Sequence, residues 1–258
     1  MVRPKKHLGQ HFLINERIAE EIVNGLDAGG KSVVYEVGAG TGVLTKHLLD
    51  LPCPFEALDV DTESIEFLKK AYPDHTDKFI KRDFLHTEIP SYKTAIIGNF
   101  PYNISSQILF KVWDERDKVD LVVCMLQKEV AARVASIHGN KVYGILSVLL
   151  QAFYDIEYMF SVPPEAFNPP PKVQSAVIRL KRNEVDHLPC EEKLFKRVVK
   201  TAFGKRRKTL RNALKELDLP PEITETEQFG LRAEQLSVSD FIELTTRIEK
   251  WIQSSNLN

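Results

Sequence analysis

A β-branched apolar run followed at once by alternating glycines constrains the fold more than any other feature of the chain. Residues 32–37 predict a buried strand, Gly38-Ala39-Gly40-Thr41-Gly42 follows it, and a helix to about Asp50 comes next. Glycine lets the backbone turn tightly and approach a ligand closely. This order is typical of α/β folds that hold a nucleoside-containing ligand outside a strand end.

The alternation of strands and helices continues along the chain. Further strands are predicted at 55–59, 78–81, 94–98 and 119–126, with helices at 62–71, 104–113, 128–137 and 143–153. Such alternation implies a mostly parallel sheet with helices on both faces. Two late strands, at 157–162 and 173–180, are expected to add antiparallel edge strands. The expected fold is α/β with a Rossmann-like sheet.

The last quarter of the chain has a different pattern. Residues 183–189 are predicted to be a linker, 191–203 and 206–217 to be helices around Gly204, and a helix capped by Ser237 to run to about Ile252. We therefore expect two domains. One is an α/β domain over residues 1–182, and the other is a small all-helical domain over residues 183–258.

Charge is segregated along the chain although the net charge is −1. From Lys193 to Lys215 there are ten Lys and Arg and no acidic residue, whereas Glu216 to Glu249 contains nine acidic and two basic residues. A charge run is usually a solvated face, but ten charges of one sign favour phosphate binding. The candidate RNA-binding residues are Lys200, Lys205, Arg206, Arg207, Lys208 and Arg211. Such contacts position a nucleic acid without reading its bases.

Several classes of protein are disfavoured by composition. No run of about 18 apolar residues is present, so no membrane span is expected. The basic and polar residues 1–10 argue against a secretory signal. The three cysteines are widely spaced, so no metal site or disulfide framework is expected. We expect a cytoplasmic monomer.

Carboxylates stand at three successive strand ends. Glu36 precedes the glycine loop, Asp59 ends the second strand and Asp83 follows the third. Glu36 would repel a pyrophosphate, so the backbone of Gly38 and Gly40 suits a ligand with a nucleoside and an amino acid but no phosphate. A carboxylate on the second strand commonly binds ribose hydroxyls. Asp61 is an alternative to Asp59 for this role, and Asp83 could accept from an adenine amino group.

The segment Asn99-Phe100-Pro101-Tyr102 follows the fourth strand. An exocyclic adenine amine is a poor nucleophile, and acceptors that hold its hydrogens can aim its lone pair at a methyl sulfonium. The Asn99 side-chain oxygen and the Phe100 or Pro101 carbonyl are suited to this, Pro101 stiffens the turn, and Tyr102 offers a stacking face for an extruded base. The segment therefore predicts amine methylation with S-adenosyl-L-methionine as cofactor.

At this point the sequence resembles the ribosomal RNA adenine N6,N6-dimethyltransferases over nearly its whole length. The residues that carry the resemblance lie at 6–13, 36–42, 99–105, 125–130 and 162–173, including Val162-Pro163-Pro164 and Pro169-Pro170-Pro171-Lys172-Val173. Within the family, the similarity is to the bacterial type that dimethylates two adjacent adenines near the 3′ end of 16S rRNA in the small ribosomal subunit, with a role in late subunit maturation.

The resemblance also implies site residues. Cofactor contacts of the family map onto His11, Leu13, Gly38, Asp59, Asp83 and Asn99. His11 stands where Asn is usual and Asp59 where Glu is usual, and the shorter Asp59 could reach a ribose directly or through water. Phe167 matches an aromatic residue that helps to hold the target base, although a core Phe beside a proline-rich turn is an equal alternative.

Two alternatives remain open from the sequence. The first is the same chemistry on 23S rRNA, as in enzymes that confer macrolide resistance; the segment around Phe167 and the basic helices favour the small subunit. The second is a ribosome-assembly factor that acts mainly by binding.

Overall fold

A seven-stranded sheet forms the centre of the larger of two compact units. The computed structural model describes residues 2–90 and 93–255. The strands in chain order are β1 (Phe12–Leu13), β2 (Val33–Val37), β3 (Phe55–Asp59), β4 (Phe79–Lys81), β5 (Thr94–Asn99), β6 (Val119–Gln127), β7 (Tyr154–Val162), β8 (Phe167–Asn168) and β9 (Ser175–Arg182). The predicted α/β class is confirmed.

The sheet has the order β4-β3-β2-β5-β6-β9-β7. Strands β2 to β6 are parallel, while β9 pairs antiparallel with β6 and β7. The chain moves from β2 outward to β4 and then returns to β5 on the other side of β2. The strand order therefore reverses between β2 and β5, which is where open α/β sheets bind ligands beyond their carboxyl ends.

Helices and buried apolar strands surround this point. The helices of the α/β unit are α1 (Glu16–Asn24), α2 (Thr45–Leu48), α3 (Thr62–Ala71), α4 (Ser105–Asp114) and α5 (Lys128–Ala135), the end of which belongs to the second unit. All five residues of β2 are buried, as the apolar run predicts for a central parallel strand. Helix α2 is a single turn rather than the helix to about Asp50 predicted from the sequence. Pro52 follows closely, and proline disfavours helical backbone in the residue before it.

A two-stranded ribbon of β1 and β8 was not foreseen from the sequence. Phe12 lies opposite Asn168 and Leu13 opposite Phe167. Each strand has two residues, too few to give an alternating pattern. The ribbon joins the N-terminal segment to the proline-rich segment that follows β7.

The second unit is helical and comprises Arg133–Phe153 together with the described residues from Glu184 onward. Its further helices are α6 (Ile145–Gln151), α7 (Glu192–Gly204), α8 (Leu210–Ala213), α9 (Pro221–Thr224) and α10 (Val238–Ser255). The rings of Phe203 and Phe241 stack at 5.9 Å between centroids, which joins α7 to α10 in the core of this unit. Residues 133–153, expected in the α/β domain, pack here instead, and five of the seven residues of α6 are buried.

The helix predicted over 206–217 is interrupted. Residues 205–208 form a turn closed by the Lys208 amide and the Lys205 carbonyl at 2.8 Å, and Thr209 makes an isolated bridge to Arg232. Helix α8 then covers one turn, followed by a 3-10 turn that ends at Asp218 in the left-handed region. Tertiary contacts of the turn therefore override local helix preference. In the described part of the chain, no helix combines the length and apolarity needed to cross a membrane.

Candidate active site

A cavity opens at the carboxyl ends of β2, β3 and β5. It is lined by Leu8, Gly9, Gln10, His11, Phe12, Gly38, Gly40, Asp59, Val60, Asn99, Phe100, Pro101 and Tyr102. The glycine loop, the second carboxylate and the Asn-Phe-Pro-Tyr segment thus meet at one place, as their positions after neighbouring parallel strands predict.

The glycine loop approaches the segment after β5 closely. Gly38 has a φ of +78°, and a Cβ built there would lie 3.3 Å from the Asn99 carbonyl oxygen and 3.4 Å from Pro101 Cδ. Gly40 has a φ of +55°, and its Cβ would lie 2.9 Å from the Phe12 ring. A side chain at either position would be strained and would narrow the cavity.

Asp59 and Asp61 have different surroundings. Asp59 lines the cavity, and its two oxygens accept from the Gly40 amide at 2.9 Å and the Asp61 amide at 2.8 Å. Burial raises the pKa of Asp59, and these backbone hydrogen bonds oppose the rise. Asp61 caps α3 and accepts from Lys5 and from Gln10. The Asp61 carboxylate therefore holds the N-terminal segment at the start of α3.

Two of the predicted carboxylates lie outside the cavity lining. Glu36 is fully buried and accepts a 2.7 Å hydrogen bond from the Thr45 hydroxyl, and burial raises its pKa to about 8. Asp83 caps the short 3-10 helix Phe84–His86 and accepts from the Leu85 amide at 2.9 Å. Its other oxygen contacts His86 Nδ1 at 2.8 Å. Neither carboxylate lines the cavity in this conformation.

The side chain of Asn99 has a defined orientation. Its Nδ2 donates to the His11 carbonyl oxygen at 2.9 Å. A carbonyl accepts and cannot donate, so the amide nitrogen must face His11 and the Oδ1 acceptor must point away from it. The Phe100 amide donates to the Met125 carbonyl at 3.1 Å, which ties the segment after β5 to β6.

Tyr102 lies against His11 and Ser175. The rings of Tyr102 and His11 stack with centroids 5.5 Å apart and planes 27° apart, and the Tyr102 hydroxyl hydrogen-bonds to the Ser175 hydroxyl. His11 Nδ1 lies 2.8 Å from the Pro169 carbonyl oxygen, so this nitrogen carries the proton. One face of the Tyr102 ring is therefore covered by His11.

Two residues implied by the resemblance are buried in the core. Phe167 is 2% exposed and Leu13 is 2% exposed, and they face one another across the β1–β8 ribbon. Both belong to the apolar cluster that includes α1 and the central strands. Neither side chain lines the cavity, so a role of Phe167 in holding a base has no support in this conformation.

The sequence did not predict two residues that line the cavity, Gln10 and Phe12. Gln10 lines the cavity, donates to Asp61 Oδ2 at 3.1 Å, and accepts from the Lys5 amide at 2.9 Å. Phe12 packs beside Gly40. Both lie in the segment 6–13 that carries the resemblance, but nothing local shows that this segment crosses the ends of β2 and β3.

The cavity residues fit S-adenosylmethionine. Positive-φ glycines leave space that a Cβ would fill, Asp59 offers carboxylate oxygens to a ribose, and the backbone groups around Asn99 are polar partners for an amino acid. A phosphate-bearing ligand fits less well, because Asp59 lines the cavity and lysine and arginine side chains do not.

The predicted RNA-binding residues of the helical unit differ in their exposure to solvent. Lys200, Lys205, Arg207, Lys208 and Arg211 are exposed, whereas Arg206 is half-buried and donates to the carbonyls of Lys141 and Tyr143. Lys205 is 3.8 Å from Glu216, and Arg211 Nε donates to the Thr224 carbonyl at 3.2 Å. Arg206 thus bonds within its own unit and is less exposed than the other five.

Known proteins resemble this chain along its length. Residues 1–254 match the family model described as ribosomal RNA adenine dimethylase. A relative from Cytophaga hutchinsonii, named ribosomal RNA small subunit methyltransferase A, is 55% identical over 252 residues, covering 96% of this chain and 98% of its own. A relative of the same name from Flavobacterium johnsoniae is 53% identical, covering 96% and 97%.

Solved structures share the fold. A dimethyladenosine transferase from Plasmodium falciparum superposes with a TM-score of 0.78 at 26% identity, covering 93% of this chain and 98% of its own. The 23S rRNA methyltransferase ErmE superposes with a TM-score of 0.70 at 22% identity, covering 91% and 99%, and at that identity it shows the fold alone. The family match over almost the whole sequence, together with this fold and cavity, shows that the chain belongs to the ribosomal RNA adenine dimethylases.

Proposed function

We propose that the protein transfers two methyl groups to N6 of each of two adjacent adenines near the 3′ end of 16S rRNA. The observation that carries this proposal is the Asn99 amide, which is held by the His11 carbonyl so that Oδ1 remains an acceptor at the cavity. The names of the bacterial relatives support the small subunit as the source of the substrate.

Two acceptors hold the adenine amine in this mechanism. One is Asn99 Oδ1. The Pro101 carbonyl already accepts from the Ile104 amide at 3.1 Å as α4 begins, which favours the Phe100 carbonyl as the second acceptor. Together they localise the amine lone pair and orient it, so the chain contributes mainly positioning and electrostatic stabilisation.

S-adenosyl-L-methionine, when bound, supplies an electrophilic methyl group. We assign its ribose to Asp59 and its close backbone contacts to Gly38 and Gly40, with His11 and the backbone around Asn99 at its other end. Leu13 shapes this site through the ribbon, because its side chain is buried. Glu36 and Asp83 act behind the cavity, Glu36 by supporting the turn into α2 through Thr45.

Tyr102 is the stacking surface for the target base. His11 covers one face of the ring, so the base uses the other face or displaces the imidazole. Burial raises the pKa of Tyr102, so its hydroxyl stays neutral and remains bonded to Ser175. Phe167, buried beneath the ribbon, reaches a base only if the ribbon moves.

We propose that the α/β unit carries the chemistry and that the helical unit holds the RNA. The exposed Lys200, Lys205, Arg207, Lys208 and Arg211 are the phosphate contacts, and they fix register without reading bases. Residues 133–153 belong to the RNA-holding unit by their packing. Because rRNA is the proposed substrate, we expect the protein in the cytoplasm, and we also expect a monomer.

The test is methylation of small and large ribosomal subunits from cells that lack this protein, read by mass spectrometry of the rRNA. We expect dimethyladenine in 16S rRNA and none in 23S rRNA, and the reverse result would support the 23S alternative.

Asn99→Ala should abolish methylation while subunit binding persists. Asn103→Ala, a nearby amide whose longer 3.4 Å contact goes to the His7 carbonyl, is the control. Loss of binding with methylation intact would contradict this assignment of Asn99 to catalysis.

A further inference from the structure

Residues 136–142 form most of the nine-residue connection between α5 and α6, and they lie in the helical unit. From residue 130 to residue 154 the sequence contains no Asp or Glu, whereas Arg133, His138 and Lys141 are basic. A solvated helical face does not explain this absence of acidic residues, because much of the stretch is loop or buried helix. The loop therefore belongs to a stretch without acidic residues that is separate in sequence from the predicted basic segment at 193–215.

Asn140 organises the loop from within. Its Oδ1 accepts from the Val142 amide at 2.8 Å and the Tyr143 amide at 3.1 Å, and its Nδ2 donates to the Ile137 carbonyl at 2.7 Å. The Ser136 hydroxyl contacts the same amide group. Three backbone groups of one short loop are thus satisfied by a single side chain, which fixes the loop conformation.

The loop is also braced by the rest of its unit. The Gly139 amide donates to the Glu234 carbonyl at 2.7 Å, and Arg206 Nη2 donates to the carbonyls of Lys141 and Tyr143. Gln151 Nε2 donates to the Ser136 carbonyl at 2.8 Å. Because Arg206 comes directly before Arg207 and Lys208, this brace places the loop beside the exposed cations of the basic segment.

This ordered loop exposes apolar side chains. Ile137 is 71% exposed and Val142 is 43% exposed, and Lys141 is exposed between them in sequence. A single exposed apolar residue is ordinary. Two β-branched residues on a braced loop next to cations are better explained by a partner that is both anionic and able to take apolar contact.

We propose that loop 136–142 is a second RNA-contacting element, in which Ile137 packs against the shallow minor groove of an rRNA helix and Lys141 contacts its phosphates. This inference rests on the proposed function, since it assumes an rRNA substrate. Sugar and base edges in the wide RNA minor groove accept apolar contact, and ordered protein surfaces recognise RNA helices by shape. RNA is favoured over a protein partner because the loop and the adjoining segment 205–208 carry only positive charge.

The test is equilibrium binding of the full-length protein to deproteinised 16S rRNA over a series of salt concentrations. Ile137→Ala should weaken binding on the order of tenfold at every salt concentration, because buried apolar area is lost without a change in charge. Lys141→Ala should reduce the slope of log K against log salt by about 0.7 to 0.9, as expected for one phosphate contact. Ile252→Ala, which truncates an isoleucine 36% exposed on α10, is the matched control and should bind normally.

A second measurement separates the brace from a direct phosphate contact. If Arg206 supports the loop, Arg206→Met should speed hydrogen exchange at the amides of Val142 and Tyr143 and should weaken RNA binding. If Arg206→Met weakens RNA binding but leaves hydrogen exchange at these amides unchanged, Arg206 contacts an RNA phosphate directly, and its role as a brace of the loop is wrong.

These experiments distinguish failure of the inference about the loop from failure of the proposed function. If the wild-type protein does not methylate rRNA, the proposed function fails. If the wild type methylates rRNA but Ile137→Ala binds deproteinised rRNA normally, the inference about the loop is wrong. An effect of Ile137→Ala that appears with intact subunits and not with deproteinised rRNA would identify a ribosomal protein as the partner and would likewise overturn it.

Discussion

The Nδ2 of Asn99 donates a 2.9 Å hydrogen bond to the backbone carbonyl of His11, across 88 residues of sequence. This bond joins the segment after β5 to the N-terminal segment that lines the same cavity. Because Nδ2 is the donor in this bond, Oδ1 is the atom of the Asn99 amide that remains as an acceptor. In the proposed mechanism, the Asn99 side chain therefore orients the adenine amine, and its bond to His11 holds one wall of the cavity.

Asn99→Asp keeps an acceptor but replaces the donor to His11 with a second oxygen. We expect kcat/KM for methylation to fall on the order of 100-fold, since two oxygens would face one another and a charge would enter the cavity. Initial rates and far-ultraviolet circular dichroism check the loss of activity and the retention of fold. Full activity in Asn99→Asp would mean that the acceptor suffices and that the bond to His11 is unimportant.

Lys5 and Asp61 form an ion pair that holds the N-terminal segment to the start of α3. We expect Lys5→Met to weaken S-adenosylmethionine binding several-fold while leaving kcat nearly unchanged, because the residues at 8–12 that line the cavity lose their tether. Calorimetric titration of the cofactor checks this. Arg17→Met removes a cation paired with Glu21 on the exposed face of α1 and is the control.

A double-mutant cycle with Asp61→Asn distinguishes a tether from a ligand. If Asp61 acts through Lys5, the two substitutions together should cost about as much as either alone. Additive losses would instead place Asp61 in direct contact with the cofactor.

Glu36 should make stability depend on pH. Burial raises the pKa of Glu36 from 4.5 to about 8, although the Thr45 hydroxyl opposes the rise. Between these two values the folded protein holds a proton that the unfolded chain has lost, so this group's contribution to stability falls as pH rises toward 8 and is level above it.

Urea unfolding of the cofactor-free protein at several pH values tests this. Relative to Glu36→Gln, the wild type should lose a few kcal/mol of unfolding free energy as the pH rises from 5 to 8. Gln can still accept from Thr45, so the variant preserves the local hydrogen bond. Parallel stability curves for the two proteins would show that Glu36 is ionised when buried.

Tyr102 should act through its ring more than through its hydroxyl. Tyr102→Ala removes a stacking face worth about 1–3 kcal/mol per base, so we expect kcat/KM to fall about 10- to 100-fold. Tyr102→Phe keeps the face and loses the bond to Ser175, so its rate should stay within a few-fold of wild type. Equal losses in the two variants, measured with the same rRNA substrate, would shift the role to the hydroxyl.

Local patterns in the sequence predicted the sheet and the place of the site. The apolar run before Gly38 and the polar residues after β3 and β5 mark strand ends, and parallel strands bring such ends to one edge. The same patterns did not distinguish Asp59 from Asp61, because both are carboxylates near the end of one strand. The long-range contacts of Asp61 with Lys5 and Gln10 separate them.

By itself, then, the sequence determined the α/β class, the glycine loop and the position of the Asn99 segment at a strand end, because these depend on residues adjacent in the chain. Tertiary structure alone decided that Phe167 and Leu13 are buried, that residues 133–153 pack in the helical unit, and that Arg206 braces a loop 65 residues away. Those outcomes depend on which distant groups satisfy a backbone carbonyl or fill a core, and local periodicity carries no information about such partners.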